Sequence, residues 1–157
     1  MRKKKVIKTH SLKPDRKYDS VVVARLINKV MKDGEKRKAT KIVYQAAQII
    51  EKNTSTSFLA ILEKAIENSN PGIEMKRKKM GGANYRVPQP ISEERALKTV
   101  LRWFVECSKV GKFSSNIMFE KLAEVITGAY KKTGEVFKKK ENLRKEAEAG
   151  RVFSSNR

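Results

Sequence analysis

Cysteine and histidine are nearly missing from this 157-residue chain, which has only Cys107 and His10. A single cysteine excludes an internal disulfide framework and a zinc site built on thiolates. A single histidine leaves most metal and triad chemistry without its side chains. No apolar run approaches the roughly 18 residues of a membrane span. The basic cluster Met1 to Lys5 has no apolar stretch behind it, which argues against a secretory signal. Acids are scarce as well, 17 against 37 lysines and arginines, for a formal net charge of +20. Yet 39% of the residues are hydrophobic, too many for a wholly disordered chain, and the length suits one domain with its own core. The expected partner is a polyanion, with no membrane, metal or cofactor.

The charge is unevenly spread. Residues 1–17 hold eight basic side chains and one acid, residues 73–90 hold five and one, and residues 131–157 hold nine and four. These 62 residues carry +16 of the +20. The remaining 95 are nearly balanced and hold most of the apolar periodicity. A near-neutral body with three basic extensions suits a protein that wraps a nucleic acid.

Apolar spacing defines the body. Val23, Leu26, Ile27 and Val30 share one helical face behind Ser20, a suitable N-cap, and Asp33-Gly34 ends the segment. A second helix is expected from about Glu35 to Lys52, with Ala39, Ile42, Val43, Ala46 and Ile50 inward. Ser57 caps a third, striped by Phe58, Ile61, Leu62, Ala65 and Ile66 and stopped by Asn70-Pro71-Gly72. A fourth starts at Ser92-Glu93-Glu94 and turns Leu97, Val100, Leu101 and Phe104 inward. Arg95, Lys98, Arg102 and Lys109 run along its other side. A fifth begins near Ser115 with Phe119, Leu122, Ala123 and Ile126 inward. A sixth, weaker one follows Thr133-Gly134, with Val136, Leu143 and Ala147 set against Lys138, Lys139, Lys140, Arg144 and Lys145.

Between the third and fourth helices the period changes to two. Residues alternate on both sides of Gly81-Gly82, which reads as a β-hairpin over 73–88 with a tight turn. A lone two-stranded ribbon is marginal in water, so it is expected to project from the body and be held by a partner. The reading is mainly α: a single-domain six-helix bundle over 18–149 with a protruding hairpin, a basic arm over 1–17 and a tail over 150–157. The arm is expected to be disordered when free, because its composition cannot bury a core.

Catalytic chemistry finds little material. Gly81-Gly82 lacks the spacing of a phosphate loop. Glu93 and Glu94, as helix neighbours, point about 100° apart and serve better as first-turn stabilisers. Cys107 lies beside the apolar stripe and reads as a core residue rather than a nucleophile. Tyr85, on a strand of a basic ribbon, is the candidate base-stacking side chain, with packing as its alternative role.

Several segments resemble bacterial-type small-subunit ribosomal protein seven, in the family's order and spacing. The most specific is Met80-Gly81-Gly82-Ala83-Asn84-Tyr85-Arg86-Val87-Pro88. Asp33-Gly34 leading through Lys36-Arg37 to Ile42-Val43-Tyr44 and Ala46 is a second. Leu12-Lys13-Pro14-Asp15 with Lys17-Tyr18, Arg102-Trp103 with Val105-Glu106, and Ala147-Glu148-Ala149 with Phe153 complete the set. The resemblance implies a six-helix bundle with a protruding hairpin. It also implies a primary binder of 16S-type ribosomal RNA that nucleates assembly of the small-subunit head, in the 3′ major domain. Such a protein is ribosome-bound in the cytoplasm or in an organelle with its own genome. It lies near exit-site tRNA and the mRNA path and beside small-subunit ribosomal proteins nine and eleven. Carried over by position, Arg2, Lys3, Lys4, Lys5 and Lys8 would lie along the RNA, and Lys36 and Arg37 would contact it from the turn between helices. Lys76, Arg77, Lys78 and Lys79, with Arg95, Lys98, Arg102 and Lys112, would grip a multihelix junction. Met80, Gly81, Gly82, Lys138, Lys139, Lys140 and Arg144 would face the tRNA and mRNA exit region. Glu35 and Gly150 depart from the family's usual basic residue and asparagine. Two other functions would use similar material: a general DNA-compacting protein, and a small RNA-processing enzyme, which would need an acid–base pair.

Overall fold

In the computed structural model, residues 12–111, 113 and 115–151 are described. Arg2, Lys3, Lys4, Lys5, Lys8, His10, Lys112 and Phe153 lie outside the described residues, and so does the expected disorder of the arm's first eleven positions. Among the described residues the chain forms α1 (Val21–Val30), α2 (Lys36–Thr54), α3 (Phe58–Ser69), β1 (Ile73–Met80), β2 (Ala83–Pro90), α4 (Glu93–Val110), α5 (Met118–Tyr130) and α6 (Gly134–Gly150). The mainly helical architecture with six helices and one hairpin is as expected.

The helix ends follow local chemistry. Ser20 caps α1, its hydroxyl accepting from the Val23 N–H at 3.5 Å. The helix stops at Val30, earlier than expected, because Met31 already turns extended while its N–H closes on the Ile27 carbonyl. Asp33 and Gly34, with φ of 52° and 77°, form the left-handed turn that follows. Ser57 precedes α3 without making the expected side-chain bond. Glu51, one helix earlier, accepts the Phe58 N–H at 3.3 Å instead. The fifth helix starts at Met118 rather than Ser115, whose hydroxyl accepts the Ile117 N–H just ahead of it.

The core gathers the inward stripes. Val23, Leu26, Ile27, Val43, Ile50, Phe58, Ile61, Leu62, Val100, Leu101, Phe104, Leu122 and Ile126 are each essentially solvent-free. Helix α5 sits among α2, α3, α4 and α6, which explains why its apolar face extends to Val125 and Ala129. Ile42, Leu97, Phe119 and Leu143 are half-buried and pack at the edge of this cluster.

The hairpin is antiparallel, with Ile73 opposite Pro90 and Met80 opposite Ala83. Gly81 and Gly82 have φ of 57° and 86°, the double left-handed geometry of the turn whose twist matches a two-residue hairpin. Strand β2 runs past Pro88, where the hairpin was expected to end, and closes on Pro90, tolerated because its outer side is an edge. The ribbon is not left to a partner at its base. Helix α6 packs against both strands, and Gly150 lets it approach: a Cβ there would sit 3.0 Å from the Arg86 carbonyl oxygen and 3.2 Å from Pro88 Cδ. Met75 and Arg86 meet Glu146, Ala149 and Gly150 at this junction, and α6 runs through Gly150. Lys76 to Lys79 and Gly81 to Asn84 are exposed.

Candidate nucleic-acid interface

Register fixes which hairpin cations share a face. Arg77 stands directly opposite Arg86, and Lys79 opposite Asn84, on the face of Met75 and Pro88. Lys76 and Lys78, opposite Val87 and Tyr85, alternate onto the other face. Two arginines directly across a ladder repel, so the Arg77–Arg86 rung needs an anion nearby. Glu146 of α6 supplies part of it, 3.5 Å from Arg86.

This rung forms one wall of a cleft of about 570 Å³. Helix α4 forms the other wall through Arg95, Lys98 and Arg102, and Lys29 of α1 contributes at one end. Six cations from three parts of the chain therefore surround one concavity, with Glu74 and Glu146 as its acids. Of the expected RNA-binding residues, the structure brings Arg77, Arg95, Lys98 and Arg102 together here. Lys78 and Lys79 are exposed toward the hairpin tip. Tyr85 is half-buried beside Lys78. Met80 pairs with Ala83 at the last rung, next to the exposed Gly81 and Gly82.

Carboxylates hold the cleft's cations in place. Glu74 bonds both Arg95 and Lys76 and is the polar link from the hairpin to α4. Glu94 receives Lys98 at 2.8 Å and Arg25 at 3.8 Å. The Lys98 hydrogen bond, then its charge, holds the Glu94 carboxyl below its ordinary value. Glu106 takes Arg102 at 3.5 Å and Lys139 at 3.0 Å. These pairs are exposed, and each is worth little to stability. Their effect is to fix the guanidinium and ammonium groups where a phosphate can share them.

A second cleft, of about 630 Å³, lies where the arm meets α2. Lys13 and Arg16 line it from one side and Lys36 and Arg37 from the other. Helix α1 separates the two clefts: Ala24 and Ile27 line this one and Lys29 the first. The first turn of α2 carries no acid, and Glu35, ahead of it, pairs with Lys38 at 2.8 Å. Cations at a helix N-terminus oppose its dipole, a local cost that a bound anion reverses.

The C-terminal basic run behaves differently. Lys138 bonds Glu135 and Lys139 bonds Glu106, while Lys140 donates to the Asn68 carbonyl at 2.6 Å, at the end of α3. Arg144 pairs with Glu148. None of these four lines either basic cleft. Lys109 is exposed further along α4.

The catalytic candidates stay structural. Glu93 and Glu94 occupy the first turn of α4. Cys107 is buried, and burial pushes its thiol up, away from the reactive thiolate. Among the described residues no group of histidine, cysteine and carboxylates could hold a metal, and no helix is long and apolar enough to cross a membrane.

Lys29, Arg86, Lys13 and Arg16 were not among the RNA contacts expected from the sequence. The Arg77–Arg86 rung was within reach, since a two-residue Gly-Gly turn fixes every cross-strand pair. Lys29 gave no signal, because only tertiary packing brings α1 beside α4.

Comparison with known proteins places these features in a family. Residues 1–151 match the family of ribosomal protein S7p/S5e. The small ribosomal subunit protein uS7 of Thermotoga petrophila is 45% identical over 144 residues, 92% of each chain. That of Thermotoga maritima is 42% identical over 157 residues, 100% of this chain and 99% of the relative. That of Sulfurihydrogenibium sp. is 41% identical over 155 residues, 98% of each.

Proposed function

The chain belongs to the ribosomal protein S7p/S5e family, and from that premise we infer that its two basic clefts are the surface by which it holds ribosomal RNA. The protein is a structural, non-enzymatic constituent of the small ribosomal subunit, ribosome-bound in the cytoplasm and RNA-binding. The finer reading is that it neutralises phosphates where several RNA helices of the 3′ major domain meet, and so nucleates assembly of the head.

One observation carries this: the cleft between the hairpin and α4, where Arg77 and Arg86 face each other and Arg95, Lys98 and Arg102 line the opposite wall. Backbones converging at a junction repel one another, and a rigid cationic concavity offsets that repulsion. The deep, narrow major groove of A-form RNA admits few side chains, so recognition runs through shape, phosphates and 2′-hydroxyls. The arm from Arg2 to Lys8, with Lys112, would extend the same contact. In this reading the hairpin tip and Lys138 to Arg144 face exit-site tRNA and mRNA, with ribosomal proteins nine and eleven as neighbours. The division into arm 1–17, body 18–149 and tail 150–157 follows the same logic, with the basic segments outside the core.

A titration of the protein against small-subunit rRNA fragments over a salt series tests the reading. Each phosphate neutralised contributes about 0.7–0.9 to the log–log slope. With ten cations around the two clefts, some of them shared with acids, the slope should be steeper than about −4. A flat slope, or equal affinity for duplex DNA of the same length, contradicts it.

A further inference from the structure

Asp15 is the one acid of the basic arm, and its carboxylate is heavily used. It accepts the backbone N–H groups of Lys17 and Tyr18 at 3.1 and 3.3 Å. It also accepts the Tyr44 hydroxyl, which lies 2.9 and 3.0 Å from its two oxygens, from 29 residues away in the middle of α2. The Tyr18 ring stacks edge-on to Tyr44 and tilted on Phe58, with centroids 5.9 and 5.3 Å apart. The Lys17 ammonium stands 5.1 and 5.4 Å from the two tyrosine rings. The end of the arm is thus fastened to α2 at Tyr44, through the Asp15 hydrogen bond with the Tyr18 ring and the Lys17 ammonium packed around it.

Around this fastening, Lys13 and Arg16 face Lys36 and Arg37 across the second cleft. Among the described residues none of these four is in an ion pair, whereas Arg95, Lys98 and Arg102 each have a carboxylate. Four cations around one concavity, with Asp15 as the acid among its lining residues, repel one another, and Tyr18 packing and the Asp15 N–H bond to the Ser20 carbonyl hold the chain only from residue 15 onward. The Asp15–Tyr44 bond opposes that repulsion.

We propose that Asp15 and Tyr44 form a latch of positioning residues that holds Lys13 and Arg16 opposite Lys36 and Arg37 before RNA arrives. The proposal rests on the RNA-binding reading above. Neither latch residue touches the RNA. Together they spare binding the cost of ordering the arm, so that the RNA backbone meets a preformed cleft.

Tyr44→Phe keeps the ring and removes the hydroxyl. Full-length protein, Tyr44→Phe, Lys13→Gln/Arg16→Gln and the combined variant are titrated with an rRNA fragment over a salt series, with melting points alongside. Tyr44→Phe should weaken binding about five- to tenfold and flatten the log–log slope by about one to two, with melting shifted by only a few degrees. Lys13→Gln/Arg16→Gln should cost on the order of 10-fold in the native background and less than about threefold in the Tyr44→Phe background. Amide exchange at Lys17 and Tyr18 should also quicken in Tyr44→Phe. Equal losses in the two backgrounds, or an unchanged slope, would overturn the latch while leaving the RNA-binding reading in place. A flat slope for the unaltered protein would overturn both.

Discussion

Replacing Arg77, Arg95 and Arg102 together by glutamine should lower affinity for small-subunit ribosomal RNA by about 10²-fold near 0.15 M salt. Each lost phosphate contact removes about 0.7–0.9 from the log–log slope, which at that salt is roughly a four- to fivefold loss, and three multiply. The slope itself should flatten by about two to three. Stability should hold, because the three side chains are largely exposed and their carboxylates keep other partners: Glu74 retains Lys76, and Glu106 retains Lys139. Exposed ion pairs contribute only about 0–1 kcal/mol each. Filter binding over a salt series and a thermal melt separate the two effects. A loss below about threefold, with the melt unchanged, would mean that the cleft is not where RNA is held.

Phe104→Ala should do the reverse. Phe104 is fully buried on the inward side of α4, away from the line of Arg95, Lys98 and Arg102. Truncating a buried phenylalanine costs about 3–5 kcal/mol through lost transfer energy and a residual cavity. For a chain of this length each kcal/mol lowers the melting temperature by about 2–4 °C, so a fall on the order of 10 °C is expected in calorimetry. RNA affinity of the folded fraction should stay within about twofold. Read together, the two variants assign α4's faces: one carries the fold and the other the ligand.

That division was legible in the sequence because helix period and charge agree along α4. The stripe of Val100, Leu101 and Phe104 and the line of Arg95, Lys98 and Arg102 follow directly from 3.6 residues per turn. The hairpin was equally legible, since Gly81-Gly82 determines both turn and register. What could not be read was pairing across the fold. Lys138 meets Glu135 within α6, three residues away, but only the packing of α6 brings Lys139 to Glu106 and Lys140 to the Asn68 carbonyl. The hairpin looked dependent on a partner because α6 has a weak apolar stripe. Its docking uses Ala149 and Gly150, small residues whose value is close approach rather than hydrophobic area. The Asp15–Tyr44 bond joins a loop to the middle of a helix, a contact with no periodicity to announce it.

The central claim is that the two clefts flanking α1 hold a single RNA junction, and hydroxyl-radical footprinting of the full rRNA domain with bound protein tests it most directly. The account predicts one compact set of protected backbone positions, drawn from several helices that meet at one point. In Arg77→Gln/Arg95→Gln/Arg102→Gln and in Lys36→Gln/Arg37→Gln, neighbouring parts of that set should lose protection. Protections dispersed over unconnected helices, or a footprint that neither variant alters, would contradict it.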